Sequence, residues 1–283
     1  MRAPDRRAGT GGGRGSGRGG VVALAVLALV VSMAGGCGED RTAGEGARAD
    51  APLLVLAASD LTAAFEVLGP AYEAATGVAL TVVFGSSGNL AAQIRSGAPA
   101  DLYVSANEAF VDGLVSAGWI DPETRVEIAV GRLALVVPPG RTLPRALDDL
   151  SDPGYGVIAI ANPEHAPYGL AARTALQEAG VWSELGDRVV MGENVVQALQ
   201  YVRTGNADAG LVALGLVLSG DVEGGSALPH RVVDADLHAP ILQAAGVVRA
   251  SPHAARAGDF LAWLTGPDGR AILRRFGFEP PES

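Results

Sequence analysis

A single cysteine, Cys37, in 283 residues leaves no partner for an intramolecular disulfide and no thiolate set for a zinc centre. Only four histidines are present, and His165, His230, His238 and His253 are scattered without ligand spacing, so a metal cluster is not expected. Basic charge is in deficit: 21 Lys and Arg stand against 31 Asp and Glu, for a formal net charge of −10, which argues against a nucleic-acid partner. No Gly-x-Ser-x-Gly elbow surrounds Ser86 or Ser87, and no histidine has an evident acid partner, so a serine hydrolase is a remote alternative. The chain carries no ATPase motif. The apolar run from Val21 to Met33 is shorter than the roughly 20 residues a membrane span needs.

That run is informative in another way. Arg2, Arg6, Arg7, Arg14 and Arg18 precede it, and the small residues Ala34, Gly35 and Gly36 follow it, immediately before Cys37. This is the layout of a signal peptide over residues 1–36, and the terminal cysteine resembles the lipid-accepting position of bacterial lipoproteins, with Ala34 where leucine is commoner. An ordinary secretory peptide with an incidental free thiol at Cys37 is the alternative. Residues 37–51 are polar, lack apolar periodicity and are expected to form a flexible tether. Loss of residues 1–36, with five arginines and one acid, would take the net charge from −10 to −14.

From residue 52 the chain, 48% apolar overall, alternates short β-rich runs with helical patterns, which predicts an α/β fold with parallel strands. Leu53 to Ala58 is a strand. Leu61, Phe65, Leu68 and Tyr72 then mark one helix face ending near Gly77. Further strands are expected at Val78 to Phe84, Leu102 to Ser105, Val157 to Ala161 and Ala209 to Ala213. Helices are expected at Asn89 to Ser96, Leu170 to Ala179, Val195 to Val202, Ala255 to Leu264 and Gly269 to Phe276. Two long apolar stretches, Glu127 to Val137 and Pro240 to Val248, are placed to carry the chain between two lobes and back. The expected layout is lobe 1 at 52–132, lobe 2 at 133–240, and a return strand with C-terminal helices at 241–283. Periodicity alone is equally compatible with two uninterrupted domains.

Three segments place small hydrogen-bonding residues at the start of a helix: Ser59-Asp60, Ser86-Ser87-Gly88 and Glu193-Asn194-Val195. Helix N-termini carry unpaired N–H groups and the positive end of the dipole, so several converging ones make an anion site without a basic side chain. Taken singly, Ser59, Ser87 and Asn194 are equally well ordinary N-caps, with Gln197 completing a capping box for Asn194. Arg95, Arg132 and Arg173 sit where exposed helix or strand positions explain them as well as an anion clamp does.

Ala57-Ala58-Ser59, Phe84-Gly85-Ser86-Ser87, Gly97-Ala98-Pro99-Ala100-Asp101-Leu102 with Ser105-Ala106, Asn162-Pro163-Glu164-His165-Ala166-Pro167-Tyr168-Gly169, and Gly266-Pro267 through Arg275-Phe276-Gly277-Phe278 occur in order. Together they resemble the periplasmic molybdate-binding protein family across nearly all of residues 53 to 279. The resemblance implies the type II periplasmic-binding-protein fold, two α/β lobes with a hinge and a ligand cleft between them. It implies molybdate or tungstate as the ligand, no cofactor, and neutral donors: Ser59 and Ser87 from the first lobe, Val195 and Tyr168 from the second. Some members place a tyrosine where this chain has Ala213, and Tyr168 stands where others have alanine and supplies a phenolic donor instead. Asp60 would repel an anion, so its side chain is expected to point away with only its N–H facing the cleft. The same resemblance implies an extracytoplasmic location, a membrane permease driven by a cytosolic ATPase as partners, and a monomer. Sulfate, thiosulfate or phosphate are the alternative ligands; His165 is expected to support its loop.

Overall fold

The computed structural model describes residues 51–222 and 228–281; the leader, Cys37 and all but the last residue of the tether lie outside them. The described residues build two five-stranded sheets, each flanked by helices. The first has the order β2-β1-β3-β10-β4, from β1 (Leu53–Ala58), β2 (Leu80–Gly85), β3 (Leu102–Ser105), β4 (Val126–Gly131) and β10 (Ile241–Val247). The second has the order β7-β6-β8-β5-β9, from β5 (Leu133–Val136), β6 (Ile158–Ala161), β7 (Val189–Gly192), β8 (Ala209–Ala213) and β9 (His230–Val232). In each sheet three neighbouring strands run parallel, with an antiparallel strand beside them. The apolar stretch Glu127 to Val137 is shared between the sheets: β4 stops at Gly131, Arg132 turns the chain, and β5 begins at Leu133.

Side-chain alternation along β1 shows why this sheet has helices on both faces. Leu53, Val55 and Ala57 pack with Phe65, Leu68 and Tyr72 of α1 (Thr62–Thr76) and with Phe260 of α8 (Ala254–Thr265). Leu56 points to the opposite face, among Leu90 and Ile94 of α2 (Ser87–Arg95), Tyr103, and Val111 and Leu114 of α3 (Glu108–Ser116). Successive strand side chains face opposite ways, so a strand buried on both sides is apolar throughout. The aromatic part of the first core is tight, with the Tyr72 and Phe260 rings crossing edge to face at 4.8 Å. α1 ends at Gly77, whose φ of 76° is the left-handed conformation that closes a helix.

The second sheet packs against α4 (Pro167–Glu178), the short α5 (Trp182–Leu185), α6 (Val195–Arg203) and α7 (Leu214–Val222). Its core includes Leu135, Ile158, Ile160, Leu176, Leu199 and Leu211, all at most 2% exposed. Ala58 and Ala106, which belong to the first sheet's layer, are part of that same cluster. The two layers therefore meet at the C-terminal end of β1. α9 (Pro267–Arg275) completes the first layer against α8 and α1. No helix among the described residues is long and apolar enough to cross a membrane.

Candidate functional site

The loops that meet between the two layers all leave the carboxyl ends of parallel strands and open helices. After β1 the chain makes a 3-10 turn, Ser59–Leu61, before α1; β2 feeds α2, β6 feeds α4, and β7 feeds α6. Such strand ends gather helix N-termini, whose first N–H groups have no acceptor inside their own helix. The Ser59–Leu61 turn packs against α6 and α7. Ser59, Ser87, Tyr168, Val195 and Ala213 are all buried there, with between 0 and 4% of their surface exposed.

Ser87 is the first residue of α2, and its hydroxyl oxygen accepts the Ala106 N–H at 3.0 Å. With the oxygen so used, the hydroxyl proton remains to be donated. The carbonyl of Ser87 accepts the Tyr103 hydroxyl at 2.7 Å, which fixes the turn. The N-cap of α2 is Ser86, and its side chain makes no capping bond. Ser59 does not cap α1 either, because Leu61 holds that position. Asn194 is a true N-cap, accepting the Gln197 N–H at 3.1 Å, while the Gln197 side chain accepts from Glu193 N–H rather than closing onto Asn194. Val195 opens α6 with its N–H outside the helical ladder.

Tyr168 follows Pro167, the first residue of α4, and its hydroxyl is buried without a hydrogen bond of good geometry among the described residues. It lies against Gly131: a Cβ added there would fall on the phenolic oxygen. Gly169 is equally constrained, since its added Cβ would overlap the Ala161 carbonyl, so α4 starts in direct contact with the end of β6.

Asp60 is 2% exposed, and its carboxylate accepts a hydrogen bond from Gln243 Nε2 on β10, which is itself fully buried. Burial pushes the Asp60 carboxyl up to about 7, with the Gln243 bond pulling the other way. Burial, and then the Asp60 charge, raise the Tyr168 hydroxyl well above its usual range. Asp60, Tyr168 and Gln243 thus share one buried polar nest between the layers. Nothing in local sequence ties Gln243 to Asp60, although it is the one polar residue in the apolar run Pro240 to Val248.

Two of the three arginines weighed as anion clamps are placed elsewhere. Arg132 pairs with Glu279 at 2.7 Å, and the Arg95 guanidinium lies beside Gly113 of α3. Arg173 is half-buried midway along α4. His165 does more than hold its own loop, because Nδ1 lies 2.8 Å from Ser86 Oγ in the other layer. The array Ser86–His165–Glu193 has the order of a nucleophile, base and acid. His165 Nε2, however, is 3.9 Å from Glu193 Oε1, beyond hydrogen-bond reach, and the Glu193 side chain is largely exposed. No group of three or more His, Cys, Asp or Glu suited to a metal occurs among the described residues.

Residues 53–279 match the family model described as bacterial extracellular solute-binding protein. The chain belongs to that family. Within it, this solute-binding protein is 32% identical over 227 residues to the molybdate-binding protein ModA of Rhodobacter capsulatus, covering 80% of this chain and 87% of the relative. It is 33% identical over 200 residues to YvgL of Bacillus subtilis, described as a putative ABC transporter substrate-binding lipoprotein, covering 69% and 73%. Among solved structures, the periplasmic molybdate-binding protein of Azotobacter vinelandii superposes with a TM-score of 0.74 at 33% identity, over 81% of this chain and all of the other. The expected resemblance to molybdate-binding proteins and the two-layered α/β fold are both borne out by these relatives.

Proposed function

We propose that this solute-binding protein captures a tetrahedral oxyanion, molybdate or tungstate, between its two lobes and delivers it to a membrane permease driven by a cytosolic ATPase. The observation that carries this reading is the joint burial of Ser59, Ser87, Tyr168 and Val195, contributed by both layers at helix N-termini, with no basic residue among them. Ser59 and Ser87 would give hydroxyl and N–H donors, Val195 its N–H, and Tyr168 a phenolic proton in place of the donor that Ala213 lacks. Each charge-assisted hydrogen bond contributes about 1.5 to 3 kcal/mol, so several of them offset the desolvation of a dianion. A fixed donor set leaves the smaller sulfate under-coordinated and opposes a protonated phosphate donor to donor.

Residues 52–132 with 241–283 form one lobe in this reading, and 133–240 the other, with the hinge at the two crossings. Binding and delivery account for the site without a catalytic step, so the protein is not an enzyme. It acts as a monomer outside the cytoplasm, anchored through lipid on Cys37 once residues 1–36 are removed. The curated lipoprotein relative supports the anchor, and the molybdate-binding relatives support the ligand.

The deciding experiment is thermal unfolding of the purified protein in excess molybdate, tungstate, sulfate or phosphate. A ligand present at a hundred times its Kd adds about 2.7 kcal/mol to stability. The expected result is a raised melting temperature with molybdate and tungstate only. A shift with sulfate or phosphate instead would overturn the ligand assignment, and no shift with any of the four would overturn oxyanion capture itself.

A further inference from the structure

Several contacts that join the two layers, close along the chain to the proposed donors, belong to residues that the oxyanion reading leaves without a role. From the first layer come Ser86, Gly88 and Asn89 at the start of α2; from the second come His165, in the loop between β6 and α4, and Glu193, between β7 and α6. Ser86 Oγ and His165 Nδ1 share a hydrogen bond of 2.8 Å, and the Gly88 N–H donates to the His165 carbonyl at 2.9 Å. Asn89 Nδ2 donates to Glu193 Oε1 at 2.5 Å. Each partner is a close chain neighbour of a proposed donor: Ser86 adjoins Ser87, His165 lies three residues before Tyr168, and Glu193 lies just before Val195.

Gly88 carries the strongest constraint. It lies inside α2 with no positive φ, where alanine is the better helix former, so the helix itself gives no reason for glycine. The reason lies across the gap: an added Cβ would stand 2.9 Å from both the Cβ and the carbonyl oxygen of His165. The two layers approach so closely here that a single methyl group obstructs them, and the obstruction exists only when they are together.

We propose that Ser86, Gly88 and Asn89 together with His165 and Glu193 form a clasp between the lobes, made only on closure, that sets how fast the captured oxyanion leaves. These are positioning residues that touch no ligand. The inference rests on oxyanion capture as the function. Solvated separately when the lobes part, the five groups find one another on closure, and the donors at Ser87, Tyr168 and Val195 are carried into place with them. Because the clasp forms after the ligand has entered, its loss acts on dissociation and leaves the encounter step alone.

The test is the dissociation rate of radiolabelled molybdate, chased with unlabelled molybdate, for the wild type, Gly88→Ala and Glu193→Ala, with ligand-free melting temperatures and small-angle scattering alongside. Gly88→Ala is expected to keep or raise the ligand-free melting temperature, to release molybdate about tenfold faster or more, and to leave the molecule more extended when loaded. Glu193→Ala is expected to release it severalfold faster with an unchanged association rate. Dissociation at the wild-type rate in both variants would overturn the clasp. Should Gly88→Ala lower the ligand-free melting temperature, Glu193→Ala alone decides, because its side chain is largely exposed. If the wild type binds no oxyanion, the functional reading has failed independently. The clasp, made only on closure over the captured ligand, then falls with it.

Discussion

At the scale of single residues, Asp60 is the one member of the proposed site whose chemistry runs against its task. An ionised carboxylate near an oxyanion repels it, yet burial pushes this carboxyl up to about 7 from an ordinary 3.8. The sign of the consequence is fixed. Between those values the unfolded chain has lost the proton while the folded one keeps it, so folding becomes less favourable as pH rises through the window and levels off above about 7. The ligand-free melting temperature should therefore fall from pH 4 to pH 7, and Asp60→Asn, which has no charge to bury, should flatten that slope. An unchanged slope in the variant would show that another group is responsible. The partners of Asp60 were not visible in the sequence: Gln243 lies 183 positions away, and only folding brings β10 beside the turn after β1. Ser59, Ser87 and Val195 were legible because helix starts are written locally, in small residues ahead of an apolar period. The contacts of His165 and Glu193 were not, since their partners stand 79 and 104 residues away.

At the scale of elements, the strands and helices that came through in the sequence have one apolar face or firm punctuation. β1, α1, β3, α6, β8, β10 and the last two helices all fall close to their expected positions. Five elements did not stand out, the single-turn α5 of four residues among them. β7 and β9 are edge strands of four and three residues, with Met191 and Val232 exposed, too short to show a period. α7 follows β8 without a break, and the described residues from Ala209 to Val217 are almost entirely buried, so strand and helix merge into one apolar run. α3 has its cap, with Asn107 accepting the Ala109 N–H, but only nine residues in which to show a face. The Gly97–Leu102 motif, by contrast, proves to be an element-joining device. Asp101 accepts the Leu54 N–H at 2.8 Å and the Ser251 hydroxyl at 2.6 Å, tying β1 to the segment after β10. Removing a buried acceptor of this kind costs about 1 to 3 kcal/mol, which for a protein of this size lowers the melting temperature by several degrees. Asp101→Ala should show that loss in thermal unfolding while molybdate affinity stays at the wild-type level; a large loss of affinity at unchanged stability would place Asp101 in the site instead.

At the scale of the whole molecule, the proposed capture of a dianion by an acidic protein needs attraction that is short-ranged. A formal charge of −10 repels the ligand at a distance, and loss of residues 1–36 strengthens that repulsion. The proposed neutral N–H and O–H donors act only at contact, where water has been expelled. The two regimes respond differently to salt, because the Debye length is about 30 Å at 0.01 M and about 10 Å at 0.1 M ionic strength, whereas buried hydrogen bonds are barely screened. Raising salt over that range should therefore speed molybdate association, by removing the repulsion, while leaving dissociation nearly constant, so that affinity improves with ionic strength. Stopped-flow association and chase dissociation measured across a salt series check both halves of the argument. An association rate that falls with salt would mean that the field met by the incoming anion is positive despite the net charge, and would overturn the argument from repulsion.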